Sequence, residues 1–452
     1  MYMMYPDIIY TSEGYMKPSK YNHFCSFTSE QSIAYNARSG ALALIDNNKL
    51  KMYTEFVNAG KEIEDKELEQ DLLHGSFLVE DSIDELDIIR HNMLRGRYAT
   101  NVLTLTIAPT SDCNFRCVYC YQKSVLNCEY MSESVQDAII NLVDSMKSHL
   151  QAVSVTWYGG EPLLALPIIQ KISTELIKIC DVNHISYTAN MITNGYLLSR
   201  STLEVLKGIR IQFLQITLDG GPKQHNAKRP LSNGDESFWV ILNNLRNGYD
   251  LLPQVSLRIN LDCNNLSAGD EVKQYITEYG IIDKVVPYYG RIRNDNECYD
   301  DDKCLSACEF AEIEYDFALE VNSSAFRKPV RLPNSRTSFC GADRVYSFVI
   351  SANGLLYKCW SDIGNLSRSV GNILNSANDI NSTYLEYLLF DPTQIAPCKD
   401  CNILPICMGG CPFQRILSGK QECTKYKFIL NRYLGDITRR LLCARHIEQS
   451  SI

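Results

Sequence analysis

Short apolar runs separated by turn residues occupy residues 1–100 of the chain. Runs of this kind predict β-strands, and the stretches between and after them have the spacing of amphipathic helices. The predicted strands are 21–27, 32–36, 41–45 and 76–79, and the predicted helices are 48–59, 66–73 and 82–97. An order of strands followed by helices indicates a small α+β domain.

From Val102 onward, hydrophobic runs alternate regularly with longer amphipathic stretches. The predicted strands are 102–107, 153–157, 185–192, 211–218, 254–261 and 284–288, and the helices between them are 131–148, 163–179, 199–207, 237–249 and 268–279. Strands that alternate with helices indicate parallel β/α units. Six units are too few for a closed eight-stranded barrel, so we expect an α/β fold with an open, partial (β/α)6 TIM-like barrel. Residues 289–335 read as a polar connection, and the remainder is rich in cysteine and loops, with a helix near 424–446.

Composition narrows the function classes. Hydrophobic residues make up 45% and charged residues 21% of the 452 residues, which is typical of globular proteins. The net charge of -9 argues against binding nucleic acid through phosphates. No stretch approaches the ~20 apolar residues of a membrane-spanning helix, and residues 1–10 lack the pattern of a secretion signal. In the cytoplasm that this predicts, thiols stay reduced, so 18 cysteines indicate metal binding or catalysis.

Three cysteines lie directly after the first strand of the β/α series, where such folds place their active sites. They are Cys113, Cys117 and Cys120, in the spacing C-x3-C-x2-C. A structural zinc site takes four ligands, and a [4Fe–4S] cluster normally takes four cysteines. Either a distant residue is the fourth ligand, or one iron stays open for a small molecule. The loop alone leaves both zinc and iron–sulfur chemistry open.

This spacing, with the aromatic Tyr119 before the last cysteine, resembles the hallmark of the radical S-adenosylmethionine (SAM) superfamily. Similar family segments follow in order, each after a predicted strand: Gly159-Gly160-Glu161-Pro162, Thr193-Asn194-Gly195 and Thr217-Leu218-Asp219-Gly220. Each of them alone would indicate only a turn or a helix cap. The resemblance implies that the three cysteines hold a [4Fe–4S] cluster whose open iron binds SAM. It also implies that Gly159, Gly160 and Glu161 hold the SAM amino group, that Thr193, Asn194, Thr217 and Asp219 surround the ribose and the reaction cavity, and that Arg258 meets the SAM carboxylate.

Seven more cysteines lie between Cys340 and Cys423. Their order resembles the SPASM extension of radical SAM enzymes that modify peptides; a zinc ribbon is the plainer alternative. The resemblance implies an outer auxiliary cluster on Cys398, Cys401, Cys407 and Cys423. It implies an inner auxiliary cluster on Cys340, Cys359 and Cys411, whose fourth site is either open or closed by Cys298, Cys304 or Cys308. Three [4Fe–4S] clusters and SAM are therefore the expected cofactors.

The first predicted domain lies where many peptide maturases carry a winged-helix-like domain that binds the leader of their precursor; a purely structural subdomain is the alternative. We expect leader recognition in 1–97, the radical SAM partial barrel in 98–290, a connecting segment in 291–339, and the SPASM domain with a C-terminal helix in 340–452. Expected partners are a precursor peptide with a leader and a reductant such as flavodoxin or ferredoxin.

The function that the resemblance favours is a peptide maturase that abstracts a hydrogen from a ribosomally made precursor and installs a thioether cross-link. Carbon–carbon cross-linking and sulfatase-type maturation are alternatives within the superfamily. Sulfatase maturases carry an aspartate base directly after the cysteine equivalent to Cys359, and here that residue is Trp360. A non-enzymatic zinc or redox protein is the alternative from another class.

Overall fold

The computed structural model describes residues 15–323, 331–375 and 380–449. The chain divides into two compact units. Unit 1 contains Met1–Arg97, Pro329–Phe339 and Phe390–Ile452, and unit 2 contains Tyr98–Lys328 and Cys340–Leu389. The segment 340–452, expected as one domain, is thus divided at residue 390. The predicted absence of a secretion signal concerns residues 1–10, which lie outside the described residues.

The β-strands of the described residues are, in chain order, β1 Met16–Pro18, β2 Asn22–Ser26, β3 Gln31–Asn36, β4 Leu42–Asp46, β5 Leu78–Glu80, β6 Val102–Ile107, β7 Ala152–Trp157, β8 Ser186–Ile192, β9 Ile211–Thr217, β10 Gln254–Leu261, β11 Val285–Arg291, β12 Ser347–Ile350, β13 Leu355–Tyr357 and β14 Gly371–Asn372.

The α-helices of the same residues are α1 Asn47–Ala59, α2 Lys66–His74, α3 Glu85–Arg97, α4 Glu133–Met146, α5 Leu166–Val182, α6 Arg200–Gly208, α7 Pro222–Lys228, α8 Phe238–Asn247, α9 Ala268–Glu278, α10 Ala307–Ser323, α11 Ser382–Leu388, α12 Leu404–Cys407, α13 Pro412–Ser418 and α14 Tyr426–Gln449.

Unit 1 is built on an antiparallel sheet in the order β2-β3-β4, with a separate pair, β1-β5. The central strand β3 is buried along most of its length, because one side packs on α1 and α2 and the other on α12 and α14. One core joins Tyr21, Ile33 and Tyr35 of the N-terminal sheet region to Leu404 and Leu434. The N-terminal and C-terminal segments therefore share a core, and the C-terminal cysteine segment packs on the predicted recognition domain.

Unit 2 contains a nine-stranded sheet in the order β11-β10-β9-β8-β7-β6-β12-β13-β14. The strands β6 to β11 are parallel neighbours in sequence order, which confirms the six predicted β/α units. Strand β12 adds in parallel to β6, and β13 and β14 continue the sheet in antiparallel fashion. Strand residues such as Leu103, Leu105 and Val155 have no exposed surface, because they share one core with apolar residues of the helices that cover the sheet.

The prediction of a polar connection across 289–335 was wrong, because this region contains helix α10. Its buried face carries Ala311, Tyr315, Phe317 and Val321, and the Phe317 ring lies 4.3 Å from that of Tyr289 on β11. The acidic residues between these apolar positions concealed the helical spacing.

Among the helices that the structure describes, none is both long enough and apolar enough to cross a membrane.

Candidate active site

The loop with the first three cysteines begins directly after β6 and is held by backbone hydrogen bonds to the last residue of α7 and the segment that follows it. The amides of Arg116 and Val118 donate to the carbonyls of Pro230 and Lys228 at 2.8 and 3.0 Å. Asn114 closes the arrangement by accepting at its carbonyl from the amide of Ser232 at 2.8 Å. The loop has little regular structure of its own, so these bonds set the positions of its thiols.

Cys113, Cys117 and Cys120 line one cavity of about 310 Å³. Each is half-buried, and burial raises the pKa of Cys113 to about 12 and that of Cys117 to about 11. Thiols in such a setting carry their protons until a metal binds, because coordination deprotonates them.

This donor set fits a [4Fe–4S] cluster with one iron left for a further ligand, because three thiols of one loop line the same cavity. Within the described residues, no group of three His, Cys, Asp or Glu side chains surrounds a single ion. A cubane does not need such a group, since each of its thiolates binds a different iron.

Tyr119 is the centre of a buried hydrogen-bond network that ties the cysteine loop to the barrel. Its hydroxyl donates to Oδ2 of Asp219 and accepts from Nη1 of Arg229 and Nδ2 of Asn260, both at 2.9 Å. Burial raises the pKa of Tyr119 well above its usual value, so the phenol keeps the proton that it donates. Asp219 has no exposed surface and also accepts from the amide of Asn260 at 2.7 Å. It is absent from the described cavity lining, and its contact with the site is the hydrogen bond that it accepts from Tyr119.

Gly159 and Gly160 line the cavity and allow the chain after β7 to pass close to the cysteine loop. A Cβ at Gly160 would lie 2.1 Å from the carbonyl oxygen of Asp112, and one at Gly159 would lie 2.6 Å from that of Thr110. Contacts this short exclude any side chain. The two glycines are thus required by loop packing as well as by the predicted approach to a ligand.

Glu161 is fully buried and is absent from the described lining of the cavity. Its carboxylate accepts from Oγ1 of Thr193 and the amide of Asn194, both at 2.7 Å, and from the amide of Leu163 at 3.0 Å. Burial raises its pKa, although these three donors oppose the shift. The carboxylate therefore orders the turn after β8, and its predicted contact with SAM stays a prediction.

Four of the remaining residues predicted to surround SAM line the cavity, and their contact with SAM stays a prediction. Thr193 and Asn194 follow β8, Thr217 ends β9 and Arg258 lies on β10, and all four line the cavity. Asn194 also reaches the cysteine loop, since its Nδ2 donates to Oδ1 of Asn114 at 2.8 Å. The carboxyl ends of successive parallel strands thus bring side chains from distant parts of the chain to one place.

Several cavity residues were not found by sequence reasoning: Arg229, Asn260, Arg291, Arg293, Asp295 and Trp360. Arg229 is 8% exposed, and although burial opposes its charge, its interactions with Cys117, Tyr119 and Asp219 keep its pKa well above its usual value. Arg291 is the last residue of β11. Residues at the ends of earlier strands were predicted to lie at the site, and the same reasoning applied to β11 would have indicated Arg291. Arg229 lies just beyond the short helix α7, which sequence periodicity missed.

The four cysteines predicted for the outer auxiliary cluster all belong to unit 1 and lie near one another. Cys398 is within electrostatic range of Cys407, Cys423 and Cys401, and burial raises its pKa. Nη2 of Arg415 donates to Sγ of Cys398 at 3.0 Å. This clustering of thiols fits an iron–sulfur centre, while the ligand assignment stays a prediction.

The residues predicted for the inner auxiliary cluster are divided between the units: Cys340 and Cys359 belong to unit 2, and Cys411 belongs to unit 1. Next to Cys359, Lys358 is 2% exposed, and burial lowers its pKa to about 7, opposed by the charges of Asp343 and Cys340. Cys298, a candidate fourth ligand, lines the cavity of the first cysteine group, with Sγ 3.4 Å from the carbonyl oxygen of Tyr119.

Comparisons with known proteins agree with this geometry. Residues 107–262 match the model of the Radical SAM superfamily. A cysteine-type anaerobic sulfatase-maturating enzyme of Clostridium perfringens (strain ATCC 13124) is 23% identical over 366 residues, which cover 72% of this chain and 94% of that protein.

Two solved structures share the fold. Native anSMEcpe with bound AdoMet and the Kp18Cys peptide has a TM-score of 0.60 and 19% identity, over 75% of this chain and 99% of that one. SuiB of Streptococcus suis, bound to the precursor peptide SuiA, has a TM-score of 0.51 and 16% identity, over 88% and 95% of the two chains. At these identities, the likeness concerns the fold.

Residues 107–262 are therefore a radical SAM domain, and the chain that carries it is an enzyme. It resembles the SPASM-type maturases of this superfamily, as the order of its later cysteines predicted. Proteins with this domain bind a [4Fe–4S] cluster and SAM.

Proposed function

We propose that the chain is a peptide maturase that abstracts a hydrogen from a ribosomally made precursor peptide and installs a thioether between a cysteine sulfur and a carbon. The observation that carries the proposal is the cavity at the carboxyl ends of the barrel strands. It joins three thiols of one loop to the polar residues of the strands that follow.

Cys113, Cys117 and Cys120 would hold a [4Fe–4S] cluster, which supplies the one-electron reduction that cleaves SAM. Thr193, Asn194, Thr217 and Arg258 would orient SAM, and all four line the same cavity. The Tyr119 network holds the loop rigid, so that the bound molecules meet at a fixed distance. Two further clusters on the later cysteines complete the proposed set of three. The radical derived from SAM would take one hydrogen atom from the carbon, the thiol would lose its proton, and one of these clusters would accept the remaining electron as the carbon–sulfur bond forms.

The proposed substrate is a peptide because relatives that cover most of this chain carry names that refer to protein or peptide maturation. In unit 1, β4 is an edge strand of the β2-β3-β4 sheet. An edge strand can bind an extended peptide through backbone hydrogen bonds. We assign leader binding to this edge.

Sulfatase-type maturation is the second candidate, since the Clostridium perfringens relative bears that name. The residues around Cys359 weigh against it. Trp360 stands where that group carries its aspartate base, and it stacks on Tyr158 with ring centroids 5.6 Å apart. The nearest acid, Asp362, is 1% exposed, accepts from Oη of Tyr387 at 2.7 Å, and is absent from the described cavity lining.

The test is mass spectrometry of the precursor peptide after anaerobic reaction with SAM and a reductant. A peptide in which the thioether has formed has lost two hydrogens and keeps its sulfur. Its cysteine no longer reacts with an alkylating reagent. A cross-linked product whose cysteine still alkylates would indicate a carbon–carbon bond, and a product without the sulfur would contradict the proposal.

A further inference from the structure

A second cavity of unit 2, of about 340 Å³, adjoins the cavity of the cysteines. It lies between the end of the cysteine loop, residues 122–129, and the turns at 351–366. Gln122, Leu126, Gly159 and Gly160 line both cavities, so they form a shared wall. A molecule in the second cavity would therefore end next to the place proposed for SAM.

Gln122, in this shared wall, has an unpaired hydrogen-bond donor that a ligand could satisfy. Its side chain is 5% exposed, and Nε2 is buried without a hydrogen-bond partner. A buried donor left unpaired has lost its hydrogen bond to water without gaining another, which is unfavourable. Gln122 lines both cavities, and because the terminal amide of a glutamine rotates easily, Nε2 can turn toward an acceptor that enters one of them.

The charge of the second cavity indicates what this acceptor is. Glu129 is its one charged residue among those described, and no Lys or Arg is present there. The first cavity, in contrast, is lined by Arg229, Arg258, Arg291 and Arg293. An anion such as the SAM carboxylate would thus favour the first cavity, and the second suits a neutral or basic ligand.

The rest of the lining alternates between apolar and small polar groups. Leu355, Ile363 and Leu366 offer apolar contacts, while Ser124 and Asn353 offer hydrogen bonds. A volume of this size holds about ten waters at ~30 Å³ each, and it lies within the usual range for ligand pockets. A peptide segment can displace this water and replace its hydrogen bonds through carbonyls and amides.

We propose that the second cavity binds the stretch of the substrate peptide that adjoins the modified residue, and that Nε2 of Gln122 donates to a peptide carbonyl there. The proposal rests on the proposed peptide-maturase function and adds the site at which the peptide is held. It is separate from leader binding, which we assign to unit 1.

The experiment uses the full chain, reconstituted anaerobically and saturated with SAM. The probe is a pool of acetylated, amidated peptides of about nine residues, roughly 30 Å when extended, with a central cysteine and random flanks. Retained peptides are quantified by mass spectrometry at equal SAM occupancy. Ser124→Trp places a large ring into the cavity from an exposed position, and Gln122→Leu removes the donor. The matched controls are Ser145→Trp on the surface of α4 and Gln274→Leu on α9.

We expect Ser124→Trp to lower retention at least about tenfold by occluding the pocket. Gln122→Leu should lower it roughly two- to tenfold, as for the loss of one hydrogen bond, and the controls should behave as the wild type. If the wild type retains peptide and both Ser124→Trp and Gln122→Leu retain as much, the cavity assignment is overturned. The maturase proposal is not affected by that result. If the wild type retains no peptide from this pool, the cavity assignment fails, whereas the maturase proposal fails only if the full precursor with its leader is not modified either.

Discussion

Nη1 of Arg229 donates a hydrogen bond of 2.9 Å to the hydroxyl of Tyr119, and so joins the end of α7 to the cysteine loop. The same guanidinium lies 5.5 Å from the ring centroid of Phe115 in that loop. Arg229 thus holds two residues between the cysteines, and it brings a buried positive charge close to Cys117. The loop is preorganised by side chains from outside it.

This network makes Tyr119→Phe a selective probe of the loop. The variant keeps the ring but leaves the carboxylate of Asp219 and the donors of Arg229 and Asn260 without their shared partner. We expect a loss of about 1–3 kcal/mol in unfolding free energy, measured by urea unfolding under anaerobic conditions. Tyr130→Phe is the control: Tyr130 is 43% exposed, so a change within about 0.5 kcal/mol is expected. Equal stability of the two variants would contradict the network's role.

His225 on α7 predicts how stability depends on pH. Burial, and then the charge of Arg229, lower its pKa well below 6.5, and its Nδ1 accepts from the amide of Asp219 at 3.2 Å. The unfolded chain takes up a proton at this residue as pH falls through about 6.5 while the folded chain does not. Its contribution to stability is therefore present above that pH and is lost below it, by up to about 1.4 kcal/mol per pH unit.

Urea unfolding measured from about pH 8 to about pH 5, an interval that includes the usual pKa of histidine, tests this dependence. His225→Asn keeps an acceptor near the amide of Asp219 and should reduce the dependence of the unfolding free energy on pH in the acidic range. His91→Asn, at an exposed residue of α3, should leave the slope unchanged. An unaltered slope in His225→Asn would show that His225 does not carry the effect.

The parts of the fold that follow from local pattern were predictable. Strand β6, Val102–Ile107, was predicted at the bounds that the structure has, because a short apolar and β-branched run followed by a helical pattern is typical of a strand in a β/α unit. Cys113, Cys117 and Cys120 were predictable because their spacing is local. Arg229 and Asn260 were missed because they reach Tyr119 only through tertiary packing. The joining of the N-terminal sheet to Leu404 and Leu434 was missed for the same reason.

The edge of β4 offers a test of leader binding. The pairing of β3 with β4, together with the bond from the amide of Asn36 to the carbonyl of Ala41, directs the amide of Asp46 away from β3. Asp46 has φ -65°, which proline adopts without strain. Asp46→Pro should weaken binding of the precursor peptide roughly two- to tenfold, since one backbone donor is lost. Fluorescence anisotropy measures this affinity.

Asp46→Ala is the matched control, because it removes the same side chain and keeps the amide. It should bind the precursor as the wild type does. Equal affinities of Asp46→Pro and Asp46→Ala would place the leader elsewhere.

The prediction of an inner auxiliary cluster with an open fourth position can be tested. We predict that its fourth position accepts the thiolate of the substrate cysteine. Cys298, Cys304 and Cys308, changed to Ala singly and together, should then leave the iron content and cross-linking yield near normal. The place of Cys298 in the cavity of the first cysteine group agrees with this expectation. Loss of about four irons in any variant would show that the protein itself closes the site.

The most direct test of the account is the iron content and SAM cleavage of a chain in which Cys113, Cys117 and Cys120 are all changed to Ala. The control is Cys128→Ala, which removes an exposed thiol a few residues further along. Iron is measured after anaerobic reconstitution, and cleavage is followed as 5′-deoxyadenosine by chromatography. The account predicts that the triple variant loses about four irons per chain and all cleavage, while Cys128→Ala keeps both. SAM cleavage at the wild-type rate in the triple variant would contradict it.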